Sequence, residues 1–109
     1  MTFEEYQKLS RKTALYPNAG KNIFYPTLGL ASEAGEVCGK IKKVHRDKKD
    51  VFGQEDKDTI EKELGDVLWY LAQIASELGI SLENVADGNI KKLYSRLERN
   101  KIGGDGDNR

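Results

Sequence analysis

The sequence predicts an all-α fold, a bundle of four helices, on three observations. Apolar residues recur at three- and four-residue spacing along four segments. Helix-capping residues, or Pro and Gly, bound those segments. Nowhere does the apolar–polar alternation of a half-buried strand persist.

Thr2 followed by Glu5 reads as a capping box that opens a first helix, running to about Ala14. Phe3, Tyr6, Leu9 and Thr13 give it a modest apolar stripe. Tyr16-Pro17-Asn18-Ala19-Gly20 ends it, and the stretch to Tyr25 reads as a loop. Pro26 suits the first turn of a second helix that extends to about Arg46. Its Leu30, Ala34, Val37, Ile41 and Val44 fall within a stripe about 80° wide. Residues 46–57 are charged, contain Gly53, and read as an exposed connection. A third helix is expected from about Asp58 to Leu78, with Asp58 or Thr59 as N-cap. Ile60, Leu64, Val67, Leu71, Ile74 and Leu78 form its stripe, and Gly79 stands at the C′ position. Ser81 caps a fourth helix through about Arg99, with Leu82, Val85, Ala86, Leu93 and Leu97 inward. The Gly- and Asp-rich end is expected to be disordered. The organisation is thus a helical domain, 1–102, and a tail, 103–109.

Composition bounds the function. At 109 residues the chain is one small domain. A domain of this size buries roughly two-thirds of the surface its unfolded chain exposes, so its stability margin is thin. Apolar residues make up 38% and charged residues 33%, a balance that suits amphipathic helices sharing a core with a second subunit. A homodimer or tetramer is the expected assembly. Eighteen basic residues balance eighteen acidic ones, giving no global reason to bind nucleic acid or anionic lipid. The single cysteine, Cys38, excludes an internal disulfide and suits a reducing compartment. No signal-peptide core and no membrane-length apolar run is present, so the expected location is cytoplasmic.

The chemistry lies in four acids. Glu33-x-x-Glu36 and Glu63-x-x-Asp66 sit on two predicted helices. Spacing of three residues places both acids of a pair on one side of a helix, about 60° apart. Each pair lies at the same wheel position, just off one edge of its helix's apolar stripe. Two such helices side by side point four carboxylates into one space, where they repel unless a cation intervenes. The fitting occupant is a hard divalent ion with oxygen ligands, Mg²⁺ or Mn²⁺. Such an ion neutralises phosphate charge and acidifies a bound water, and a free carboxylate serves as general base. Each pair alone is common on charged helices, and Glu33 and Glu36 could simply pair with Lys40. The conjunction of two matched pairs is what carries the metal reading.

The order Gly29-Leu30-x-x-Glu33-x-x-Glu36, then Glu63-Leu64-Gly65-Asp66-Val67-Leu68-x-Tyr70, resembles the MazG-like nucleoside triphosphate pyrophosphohydrolases. These belong to an all-α superfamily that also holds dimeric dUTPases. The resemblance runs from about Tyr25 to Arg96. It implies a MazG-like four-helix bundle completed by oligomerisation, with sites near subunit contacts. It also implies Mg²⁺-dependent hydrolysis of a nucleoside triphosphate to the monophosphate and pyrophosphate. Glu33, Glu36, Glu63 and Asp66 would then be the metal ligands and catalytic acids. One departure is Lys62, where the family often has Glu; on the wheel it points away from the site.

Secondary candidates follow. Tyr70, one turn after Asp66, lies on the acids' side and could bond a phosphate or sugar, or could be a half-buried interface tyrosine. Asn89 falls in the apolar stripe of the fourth helix, where an amide needs a partner. It resembles a family position whose amide faces the nucleotide; an interhelical hydrogen bond is the other reading. Lys92 and Arg96 follow it by one and two turns and could meet triphosphate oxygens, or form a solvated basic face. Lys43 and Arg46 are possible phosphate contacts within a mostly solvated basic run. His45 reads as a surface residue and Cys38 as core. Trp69, opposite its helix's stripe, is expected to meet a partner subunit or the nucleotide base. The competing function is a non-catalytic helical oligomerisation or regulatory module. A di-iron bundle is disfavoured, because its Glu-x-x-His pairs are missing.

Overall fold

Side-chain caps open the first and last helices where the sequence puts them. At the head of α1 (Phe3–Arg11) the Thr2 hydroxyl accepts from the Glu5 N–H at 3.0 Å. At the head of α4 (Leu82–Glu98) the Ser81 hydroxyl accepts from the Asn84 N–H at 3.1 Å. Each cap satisfies a backbone donor that helix geometry leaves free. Between them lie α2 (Phe24–Asp47) and α3 (Gln54–Glu77), each of 24 residues and so about 36 Å long. The computed structural model describes residues 1–109 and contains four helices and no strand, so the chain is all-α.

Two boundaries differ from expectation. α1 stops at Arg11, short of Ala14. α3 begins at Gln54, a turn ahead of Asp58, so the connection to α2 is shorter than 46–57. Gly53 takes the N-cap position, and its N–H donates to the Asp56 carboxylate at 3.0 Å. Asp56 also receives Lys48 Nζ at 2.6 Å. Charges that read as linker instead build a first turn, where the helix dipole favours Glu55 and Asp56. The other end closes as expected. Gly79 (φ 67°) sits at C′, its N–H donates to the Ser76 carbonyl, and the Ile80 N–H donates to that of Ala75.

α2 and α3 form a long antiparallel hairpin. Gly29 lies against Tyr70 near one end, and Val44 and Ile60 line one cleft near the other. α1 packs across α3, and α4 touches α1 and α3. Neither α1 nor α4 approaches α2.

The α1–α3 seam is polar. Gln73 is 0% exposed; its amide donates to Ser10 Oγ at 3.1 Å and accepts from Arg11 Nη1 at 3.3 Å. Gln7 donates to Ser76 Oγ and the Ile80 carbonyl and accepts from the Leu82 N–H, tying α1 to the α3–α4 corner. The Glu77 side chain, 2% exposed, is the centre of this seam. It accepts from Arg11 Nη2 at 2.6 Å, Gly20 N at 2.7 Å and Asn22 N at 2.6 Å, and so fixes the α1–α2 loop. Burial pushes this carboxyl upward. Asn22 N–H, Arg11, Gly20 N–H and Tyr16 outweigh it and hold the pKa at about 2.

This seam corrects the expected cores. On α3 the buried positions are Ala72, Gln73 and Ala75, while Leu64 and Leu71 of the apolar stripe remain 52% and 42% exposed. On α4, Leu82 is buried but Val85, Leu93 and Leu97 are exposed. On α2, Val44 is buried and Ile41 is exposed. Cys38, expected in the core, is exposed. The radius of gyration is 16.8 Å, against roughly 13 Å for a compact chain of this length. No helix is long and apolar enough to cross a membrane.

Glu77→Gln should cost roughly 3 kcal/mol, since it leaves Arg11 and two backbone donors facing a neutral amide. The folded pKa near 2 lies below the ordinary 4.5. The carboxylate's contribution is therefore complete above the ordinary value and is lost as pH falls from 4.5 towards 2. Urea unfolding at pH 7 and pH 3 checks this. Wild type should lose more stability on acidification than Glu77→Gln, and equal losses would contradict the assignment.

Candidate metal centre

Glu33 on α2 and Glu63 and Asp66 on α3 meet where the hairpin brings the two helices together. One carboxylate oxygen from each lies within 4.8 Å of the others. Glu33 and Glu63 are half-buried and Asp66 is exposed. Burial first, then the charges of Asp66 and Glu63, a hydrogen bond with Glu63 and the charge of Glu36, push the Glu33 carboxyl above its ordinary range. Glu36 is exposed and stands outside the three-acid cluster, close enough for its charge to act on Glu33.

None of the four acids takes part in an ion pair within the chain. Lys40, the expected bland partner of Glu33 and Glu36, pairs with neither. Three converging oxygen ligands without a basic partner fit a hard divalent cation.

Tyr70 abuts this cluster, and Gly29 is what lets it. A Cβ at Gly29 would overlap the Tyr70 ring, so only glycine allows the ring to lie on α2 one turn before Glu33. Burial raises the Tyr70 hydroxyl pKa, as do Tyr25 and the charges of Glu33 and Asp66. Tyr70 belongs to an aromatic group built from three segments. Tyr16 stacks on Tyr25 at 4.8 Å and 11°. Trp69 packs edge-on against Tyr70 at 5.0 Å and Tyr16 at 6.2 Å. Such pairs add roughly 0.5–1.5 kcal/mol each beyond burial. The Trp69 indole N–H donates to Thr13 Oγ1 at 2.8 Å. Within the chain Trp69, expected against a partner subunit or a base, joins α3 to the α1–α2 loop. Its place opposite the apolar stripe is the polar seam, which apolar periodicity does not register.

The other candidates are not gathered at the acids. Asn89 is exposed on α4 and its side-chain amide bonds to no other group of the chain. Lys92 is half-buried and Arg96 buried, but α4 does not approach α2, so neither joins Glu33 within one chain. Arg46 pairs with Asp47 through Nε and Nη2, each at 2.8 Å. Lys43 lines a separate cleft of about 280 Å³ with Lys40, Lys48 and Asp56. His45 is exposed, as expected, and pairs with Asp50 at 2.6 Å. The sequence reading missed Tyr25 and Glu77, which support Tyr70. It also missed Tyr6, whose hydroxyl pKa is raised by burial and by the charge of Asp66. Their signal was weak: Tyr25 lies off any helical stripe, Tyr6 reads as an ordinary stripe residue, and Glu77 looks like an ordinary surface acid.

The model of a family described as the MazG nucleotide pyrophosphohydrolase domain matches residues 26–100, a span that holds all four acids. The chain is also 46% identical over 114 aligned positions to the "Gene 37 protein" of Mycobacterium phage L5, a match that covers the whole of both chains. No solved structure matches.

The Gly29–Tyr70 contact generates a paired test. Gly29→Ala forces the ring or the helix to move and should destabilise by roughly 1–3 kcal/mol. At Gly35, a Cβ meets nothing within 4 Å. Gly35→Ala should therefore be neutral or stabilising by up to about 1 kcal/mol, as alanine favours a helix interior. Thermal unfolding compares the two, and equal effects would contradict the close contact.

Proposed function

Because the chain belongs to the MazG nucleotide pyrophosphohydrolase domain family, we propose that it hydrolyses nucleoside triphosphates to the monophosphate and pyrophosphate in the cytoplasm. The observation that carries the reading is the cluster of Glu33, Glu63 and Asp66, three carboxylates gathered with no basic partner. In this reading they hold Mg²⁺, with Mn²⁺ as a substitute, and Glu36 supplies a fourth acid from the next turn of α2. Bound there, the cation supplies charge neutralisation for phosphate oxygens and acidity for a water.

The chain's own groups do the rest. A carboxylate of this set that is not fully committed to the cation takes a proton from water. Tyr70, fixed on Gly29 beside Glu33, offers a hydroxyl that donates to phosphate or sugar oxygen. Lys92 and Arg96 are the phosphate contacts. Because α4 does not approach α2 within one chain, they serve a substrate across a contact between copies, and Asn89 with them. The exposed Leu64, Leu71, Leu93 and Leu97 provide apolar area for that contact, in a dimer or a tetramer. A bare oligomerisation module is disfavoured, since it gives no reason for unpaired acids to converge.

Glu33→Gln, Glu63→Gln and Asp66→Asn should each lose most Mg²⁺-dependent pyrophosphate release while staying helical by circular dichroism. The apo proteins should melt at or above the wild-type temperature, because a repelling charge is gone. Hydrolysis in ¹⁸O-labelled water should give labelled monophosphate or pyrophosphate and no orthophosphate. Diphosphate and orthophosphate as first products would sink the reaction assignment, and near wild-type rates in the Asp66→Asn variant would sink the metal site. Light scattering that shows only a 12.3 kDa particle would contradict the assembly.

A further inference from the structure

The last residues fold back on α4. Asn100 turns the chain out of the helix at φ 59°, and Gly104 and Gly106, at φ 110° and 81°, curl it back. Arg109 holds the curl, donating to the carbonyls of Lys101 at 3.3 Å, Ile102 at 3.0 Å and Gly106. Arg99 Nη1 donates to the Arg109 carbonyl at 2.7 Å. The curl brings Asp107 to Lys92 and Arg96. Lys92 Nζ donates to Asp107 Oδ1 at 3.1 Å. Arg96 Nη2 donates to the Asp107 carbonyl at 2.7 Å and lies 3.4 Å from both Asp107 Oδ1 and the Gly106 carbonyl.

The fit of this contact is incomplete. Arg96 is only 4% exposed, yet its Nε is buried without any partner. Buried polar atoms are as a rule bonded. The Nε–Nη2 edge of a guanidinium is a fork that accepts two oxygens of one oxyanion. Asp107 offers that edge one distant carboxylate oxygen, from a side chain that is itself 81% exposed. Lys92, then Arg96, hold the Asp107 carboxyl below its usual range, which places a charged acid at the edge of the pair. A phosphate group carries more oxygens and more charge, and can reach Nε, Nη2 and Lys92 Nζ together.

We propose that Asp107 occupies the phosphate position at Lys92 and Arg96 as a tethered mimic, which a condensed phosphate displaces together with the tail. The tail is thereby a competitive guard: curled on α4 when the site is free of phosphate, released and disordered when phosphate binds. The phosphate role of Lys92 and Arg96 rests on the reading above, and their contact with Asp107 adds the guard.

The test is an NMR titration of the metal-free, ¹⁵N-labelled protein with inorganic tripolyphosphate. Gly104 and Gly106 amides should move to random-coil positions as the site fills. Asp107→Asn should bind tripolyphosphate about threefold to fivefold tighter, the scale set by one exposed ion pair. Lys92→Gln, a half-exposed position that tolerates substitution, should bind it more weakly in either background. Pyrophosphate in a parallel titration separates the sources: weaker binding than tripolyphosphate marks the substrate chain as occupant, and equal binding marks the product. Unmoved Gly104 and Gly106 signals at saturation, unchanged affinity in Asp107→Asn, or unchanged affinity in Lys92→Gln would each overturn the proposal. No turnover is read, so loss of the hydrolase reading and loss of this one are separate results.

Discussion

Glu33, Glu63 and Asp66 set three carboxylates within 4.8 Å of one another on two helices, an arrangement that Coulomb repulsion opposes along the whole approach. The hairpin has to be held shut against that repulsion by contacts elsewhere. Tyr70 lies on α2 where Gly29 leaves room for its ring, one turn from Glu33. Trp69 and Tyr25 pack on Tyr70, and Tyr16 packs on both of them. Glu77 anchors the loop that carries Tyr16, through Arg11 and the N–H groups of Gly20 and Asn22. A buried anion with a full set of donors thus positions an aromatic group, and the aromatic group seats the two helices beside the acids.

The interior of the single chain is built around polar bonds as much as around apolar burial. Gln73, Ser10, Gln7 and Ser76 satisfy one another between α1 and α3. Leu64 and Leu71 of α3 and Leu93 and Leu97 of α4 meanwhile face outward. A polar seam inside and an apolar face outside suit a subunit that completes its core against another copy.

Much of this was legible in the sequence. Thr2, Ser81 and Gly79 announce their helix ends by local chemistry, and the structure places them there. The two acid pairs were visible because three-residue spacing maps directly onto one helix side. Gly29 stood in the motif, though its reason, the Tyr70 ring, is a contact between helices that no local pattern encodes. The start of α3 was misplaced because Gln54, Glu55, Asp56 and Lys57 carry no apolar stripe, while Gly53 and Asp56 cap by a hydrogen bond that charge counting misses. The partners of Trp69 within the chain were hidden for a related reason. Periodicity finds apolar faces, and its partners are Thr13 and other aromatics on a loop.

The central claim is that Glu33, Glu63 and Asp66 form a divalent-metal centre. Crystals grown with Mn²⁺ and measured across the manganese absorption edge address it directly. The account predicts an anomalous peak in direct contact with carboxylate oxygens of all three residues, and its loss in Asp66→Asn. A peak elsewhere on the molecule, or none at millimolar Mn²⁺, would contradict the account.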